Sequence, residues 1–218
     1  MNRNHIRYLV AFLTLCVIVG AAHAGGWAVI TLNELPDHAV ARNPLHLVFA
    51  VRQHGKTLLT GLQPSVRATS ATGLVANAAA VPAIDSYTAT LTLPQPGEWT
   101  ITINSGFLSS ATTLPVLKVI AANDPVPAPP PQSARGERLF VAKGCTGCHL
   151  HSEITPERAA FASIDLSSRH FPPDYLAKFL ADPRTKPAEM PNLNLKESEI
   201  AALVAFINNA PLKSSRGR

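Results

Sequence analysis

Cys145-Thr146-Gly147-Cys148-His149 places two thiols and an imidazole within five positions. Two cysteines two residues apart, followed at once by histidine, form the attachment signature of a c-type haem. The chemistry accounts for the spacing. Two thiols must reach the two vinyl groups on one edge of a porphyrin, while the adjoining side chain turns an imidazole onto the iron. A zinc site would need two further ligands at matching spacing, and a thioredoxin-like redox pair would need a βαβ setting. Neither accompanies this motif.

Upstream, Arg3 and Arg7 precede an apolar run from Tyr8 to Gly20 and then Ala22-His23-Ala24, a small-x-small cleavage site. Residues 1–24 therefore read as a secretory signal peptide cleaved after Ala24. The run is shorter than the roughly 20 apolar residues of a transmembrane helix. Cys16 lies inside it, behind Leu15, where lipid attachment would require a small residue. Cleavage leaves Cys145 and Cys148 as the only cysteines. An exported cysteine pair could form a disulfide, but the adjoining His149 favours haem. The expected location is the periplasm or the outer face of the cytoplasmic membrane.

Charge is uneven. The chain carries a formal +5, of which residues 25–132 contribute zero and residues 133–218 contribute +3. A mildly basic second half can steer an acidic redox partner. Nothing here favours nucleic acid.

Residues 25–121 alternate with period two, the mark of strands with one buried face. Leu45, Leu47, Phe49 and Val51 alternate with His46, Val48, Ala50 and Arg52. Tyr87, Ala89, Leu91 and Leu93 alternate with threonines, and Trp99, Ile101 and Ile103 follow after Pro94-Gln95-Pro96-Gly97, which predicts a hairpin. With Trp27 to Leu32 and Leu114 to Ile120, these runs predict a sandwich of roughly seven strands. His38, His46 and His54 suit copper by type, but the domain has no methionine or cysteine, and solvated histidines are the better reading. On Gly26-Trp27, Glu34-Leu35-Pro36, the Pro44 to Gly55 strand and Gly97-Glu98-Trp99, the domain resembles the immunoglobulin-like YtkA/FixH-type exported domains. That resemblance implies fold class alone.

Residues 122–133 are proline-rich and favour extended polyproline II, a semi-rigid spacer on which a following domain could swing. Residues 134–212 then read as three helices, with a basic tail at 213–218. The first runs from Gly136 to Lys143. The second opens at Pro172-Pro173-Asp174, carries Tyr175, Leu176, Phe179 and Leu180, and stops at Asp182-Pro183. The third follows Asn194 as N-cap, with Glu197 three residues on, and buries Ile200, Leu203, Val204 and Ile207.

Between the last two helices lies Met190, the only methionine left after cleavage, in a loop between Pro187 and Pro191. A thioether opposite histidine on haem iron raises the potential and suits electron transfer. The rival ligands are His151, too near His149 to reach the opposite face easily, and His170, ahead of the second helix.

Gly136 with Phe140, Cys145 to His149, Tyr175 through Pro183, Met190-Pro191 and Leu203 to Phe206 resemble a class I cytochrome c. The resemblance implies one covalent haem c with thioethers to Cys145 and Cys148, His149 and Met190 as axial ligands, and a first helix crossing the third at Gly136. Family members often have Gly-Pro after the motif; this chain has Thr155-Pro156 without the glycine. The expected whole is a multidomain chain, all-β immunoglobulin-like sandwich plus all-α cytochrome c domain. Its expected role is that of an electron carrier and not an enzyme, with an oxidase, a dehydrogenase or a small carrier as partner, free or within a membrane-associated complex. A haem-based sensor of small ligands and a metal-handling sandwich with an accessory haem are the competing readings.

Overall fold

The structure is a computed structural model, described here for residues 26–154, 164–167, 169–185 and 189–209. The expected signal peptide, the basic tail, Thr155-Pro156 and Pro187 lie outside the described residues. Among those residues no helix is long and apolar enough to cross a membrane.

The first part is a two-sheet sandwich. Its strands are β1 (Ala28–Leu32), β2 (His38–Val40), β3 (Pro44–Gln53), β4 (Thr57–Leu58), β5 (Ser65–Ser70), β6 (Val75–Ala79), β7 (Val81–Ala83), β8 (Ser86–Thr92), β9 (Gly97–Asn104), β10 (Ala111–Thr113) and β11 (Leu117–Ile120). One sheet has the order β1-β3-β8-β7 with β4 beside β3; the other has β2-β11-β9-β5-β6 with β10 beside β9. The alternation puts Leu47, Phe49, Tyr87, Leu91, Trp99 and Ile101 between the sheets, all essentially buried. Each such side chain contributes roughly 1.5–3 kcal/mol by leaving water. The Tyr87 hydroxyl donates to the Leu59 carbonyl and accepts the Leu62 N–H, each at 3.0 Å, so the buried phenol is satisfied.

Two expectations change here. The strands before and after Pro94 to Gly97 are not a hairpin: β8 pairs with β3 and β7, whereas β9 pairs with β5, β10 and β11. Pro94 and Pro96 cannot donate to a ladder. The segment instead crosses from one sheet to the other, and its Gln95 carbonyl accepts the Trp99 Nε1–H at 3.1 Å. There are also more strands than seven, because β2, β4, β7 and β10 are edge pieces of two or three residues, too short to show alternation.

The second part is α-helical. Helix α1 (Gln132–Ala142) starts four residues earlier than expected and leads into a tight 3₁₀ turn at Cys145–Gly147. A short parallel pair, β12 (His149–Leu150) and β13 (Ile164–Asp165), follows. Helix α2 (Pro173–Ala181) has proline and Asp174 in its first turn. Its Tyr175 is 45 % exposed, while Leu176 and Leu180 are buried. Helix α3 (Glu197–Ile207) is capped at Lys196, not at Asn194: the Glu199 carboxylate accepts the Lys196 N–H at 3.0 Å. Asn194 has φ 51° and belongs to the preceding loop.

Helices α1 and α3 cross at Gly136. A Cβ there would stand 2.0 Å from the Ala202 carbonyl oxygen and 2.6 Å from Phe206 Cβ, so only glycine permits the approach. Phe140 and Phe206 pack beside the crossing with ring centroids 5.5 Å apart.

The segment between Ile120 and Gln132 joins domains that touch, which departs from the expected swinging spacer. Ala142 of α1 belongs to the sandwich core, and Leu35 packs against the cores of both domains. Lys143 is 2 % exposed, pairs with Glu199 at 2.8 Å, and donates to the Asn33 carbonyl of the sandwich at 2.6 Å. Two exposed ion pairs, Lys196 with Glu34 and Lys56 with Glu189, cross the same boundary.

Candidate functional site

Cys145, Cys148, His149 and Met190 line one cavity of about 450 Å³. Different local devices deliver them. Gly144, at φ 77°, ends α1 in a left-handed turn that residues with side chains disfavour, and the 3₁₀ turn behind it presents both thiols. The β12–β13 pair fixes His149, with the Ile164 N–H donating to the Cys148 carbonyl at 3.2 Å. Met190 comes from the loop after α2. There the Asn192 side chain accepts the Asn194 N–H at 2.8 Å, and Glu189 is held by Lys56 at 2.5 Å.

The titration behaviour suits a haem and not a redox pair. Cys145 and Cys148 are unlinked. Burial pushes the Cys145 thiol up to about 12 and raises that of Cys148 as well. A disulfide-exchanging pair needs the opposite, a stabilised thiolate, whereas a thioether carries no charge to desolvate. Burial also lowers the pKa of His149, opposed by the Ile164 carbonyl, and so keeps its imidazole neutral. A neutral imidazole is the form that binds metal. Its Nδ1 is buried and has no hydrogen-bond partner. The rest of the lining includes apolar Phe179, Pro191 and Leu193, and the volume falls in the range of roughly 300–1,000 Å³ usual for cofactor sites. Two free thiols, a neutral imidazole and a thioether around an apolar slot fit a covalently held haem.

His151 and His170 are not among the cavity lining. His151 is buried in the helical core, its ring 4.1 Å from that of Phe206, and its Nδ1 accepts the Glu153 N–H at 3.3 Å. His170 is exposed. In the sandwich, His38 lies on β2, His46 on β3 bonded to Thr90 Oγ1 at 3.0 Å, and His54 past the end of β3. Among the described residues no three His, Cys, Asp or Glu side chains gather to hold a metal ion.

Reading the sequence missed a third of the lining. Trp27, Val29, Thr31, His54, Gly55 and Lys56 all belong to the sandwich and face the same cavity. The available signal was β1 itself, apolar on both sides where a half-exposed strand would alternate.

Residues 133–211 match the family model described as cytochrome c. The second domain is accordingly a c-type cytochrome domain, a haem-based electron-transfer module that by itself carries electrons and does not catalyse. Its cofactor is a covalently bound haem c. No curated protein matches the chain. Among solved structures, the Lin-41 filamin domain is similar at 13 % identity with a TM-score of 0.33, covering 42 % of this chain and 90 % of that one. A conjugative transposon lipoprotein from Bacteroides eggerthii is similar at 8 % identity with a TM-score of 0.26, covering 41 % and 95 %.

Proposed function

We propose that the protein is an exported monohaem cytochrome that passes single electrons between redox proteins. Cys145 and Cys148 would carry the thioethers, and His149 and Met190 would ligate the iron. The observation behind this reading is the convergence of these four side chains on one cavity, with His151 and His170 elsewhere. When bound, the haem supplies a one-electron couple. The chain's own residues keep the imidazole neutral, fix the methionine loop and exclude water. With His149 and Met190 both bound, the iron would have no open site for a substrate, which favours a carrier over a ligand sensor. Export is supported by the pattern of Arg3, Arg7, the apolar run and Ala22-His23-Ala24. The sandwich acts as a support, because its Asn33, Glu34 and Lys56 are tied to the haem domain.

The test is spectroscopic. The oxidised full-length protein is expected to show a methionine-to-iron charge-transfer band, and the reduced protein to refuse carbon monoxide. Met190→Ala should abolish the band and admit carbon monoxide while leaving the covalent haem in place. A spectrum unchanged in Met190→Ala would assign the second axial position to another residue and remove the reading.

A further inference from the structure

We propose that the haem site is built by two domains, with the outer face of β1 as its second wall. The inference deepens the function just proposed, since it takes the haem to occupy the cavity that holds Cys145 and Met190.

Three observations carry it. First, β1 is buried on both faces: Ile30 and Leu32 enter the sandwich core, while Trp27, Val29 and Thr31, two residues apart, line the cavity. Second, the attachment loop is shaped to let this strand approach. A Cβ on Gly144 would stand 2.4 Å from Val29 Cγ1 and 2.7 Å from the Ile30 carbonyl oxygen, and one on Gly147 would stand 2.5 Å from Val29 Cγ2. The glycine inside the attachment motif and the one before it thus serve the contact with the other domain. Third, the Thr31 hydroxyl, on a residue only 4 % exposed, has no hydrogen-bond partner. A buried hydroxyl without a partner costs about 1–3 kcal/mol. A domain contact serving stability alone would have closed the space or placed valine there. The hydroxyl instead lines the cavity, where a polar edge group of the haem, a carboxylate above all, would satisfy it.

In this arrangement β1 gives the haem an apolar neighbour in Val29, an aromatic one in Trp27 and a hydrogen bond from Thr31. Excluding water from iron disfavours the more highly charged oxidised state, so the wall raises the reduction potential.

Proton NMR of the reduced full-length holoprotein tests this directly, because the porphyrin ring current shifts nearby protons and its effect falls steeply with distance. The Val29 methyls are expected well upfield of the ordinary methyl range, with Overhauser contacts to haem protons. Val29→Ala should keep the covalent haem, lower the potential and open the haem to a small soluble reductant. Thr31→Val, which keeps the volume and loses only the hydrogen bond to the haem carboxylate, should keep the haem and lower the potential without opening it, whereas Thr31→Ser should leave the potential near the wild-type value. Val29 methyls at ordinary shifts, without contacts to haem, would overturn the second wall. The Met190 methyl is the internal control. Haem contacts to Met190 without contacts to Val29 defeat only this inference, while contacts to neither defeat the placement of the haem as well.

Discussion

Lys143 caps the C-terminal end of α1, with Gly144 between it and the attachment motif, and its ammonium is buried beside the Glu199 carboxylate. Removing one member of a buried pair leaves the other charged and desolvated, typically at 3–5 kcal/mol. Glu199→Gln is therefore expected to destabilise the full-length holoprotein by about 3 kcal/mol or more in urea unfolding. Lys143→Met with Glu199→Leu should recover most of that loss, though not all of it, since the Asn33 carbonyl loses its donor and the Lys196 N–H its acceptor. A double variant no better than the single ones would mean that the pair is not the source of the effect. At this scale the sequence was most informative about chemistry. A thiol, imidazole or thioether announces its role by type and spacing, so Cys145, Cys148, His149 and Met190 could be named before any fold was known. Lys143 and Thr31 could not, because nothing in a lone lysine or threonine says that it will be buried against another domain.

Elements were legible in their apolar repeat, and obscure in how they pair. The alternation in β3, β8 and β9 marked them as strands, yet gave no sheet membership: a hairpin and a crossover between sheets show the same inward-facing pattern, and only the pairing partners separate them. Helix α3 was likewise legible in its apolar repeat, while its cap fell two residues later than Asn194 because Glu199, at the third helical position from Lys196, can reach back to the cap amide. Two glycines now have structural reasons. Gly136→Ala forces a methyl into the Ala202 carbonyl, and overpacking of this kind costs roughly 1–3 kcal/mol, occasionally more. Thermal unfolding of the holoprotein should place it at or above the top of that range. Gly144→Ala meets two obstacles, a left-handed backbone worth about 1 kcal/mol or more and the Val29 side chain. Its expected signature is faster hydrogen exchange in β1 with little change in α3. Equal exchange in both elements would show that the glycine serves the helical domain alone.

At its domain boundary the molecule is held by the buried hydrogen bond from Lys143 to the Asn33 carbonyl and by exposed ion pairs, and the two kinds respond differently to conditions. Lys196, by its hydrogen bond and then its charge, holds the Glu34 carboxyl below the usual carboxylate range, and Glu34 in turn raises Lys196. For Glu34, whose folded pKa is depressed, the contribution is present above the ordinary carboxylate value of about 4.3 and disappears as pH falls through the lowered one. For Lys196, whose folded pKa is raised, it is present below about 10.4 and disappears as pH rises through the raised value. The contact is thus intact at neutral pH and yields first to acid. Salt weakens it too, since both side chains are largely exposed and the screening length at physiological ionic strength is about 8 Å. Because β1 follows the boundary, its exchange reports the loosening. Hydrogen exchange of β1, corrected for the intrinsic pH dependence of amide exchange, should accelerate below about pH 4 and, at neutral pH, on addition of salt. In Glu34→Gln both responses should be blunted and the neutral, low-salt rate already raised. An acid acceleration as large in Glu34→Gln as in the parent would move the sensitivity to another carboxylate, first of all Glu189, which Lys56 holds across the same boundary.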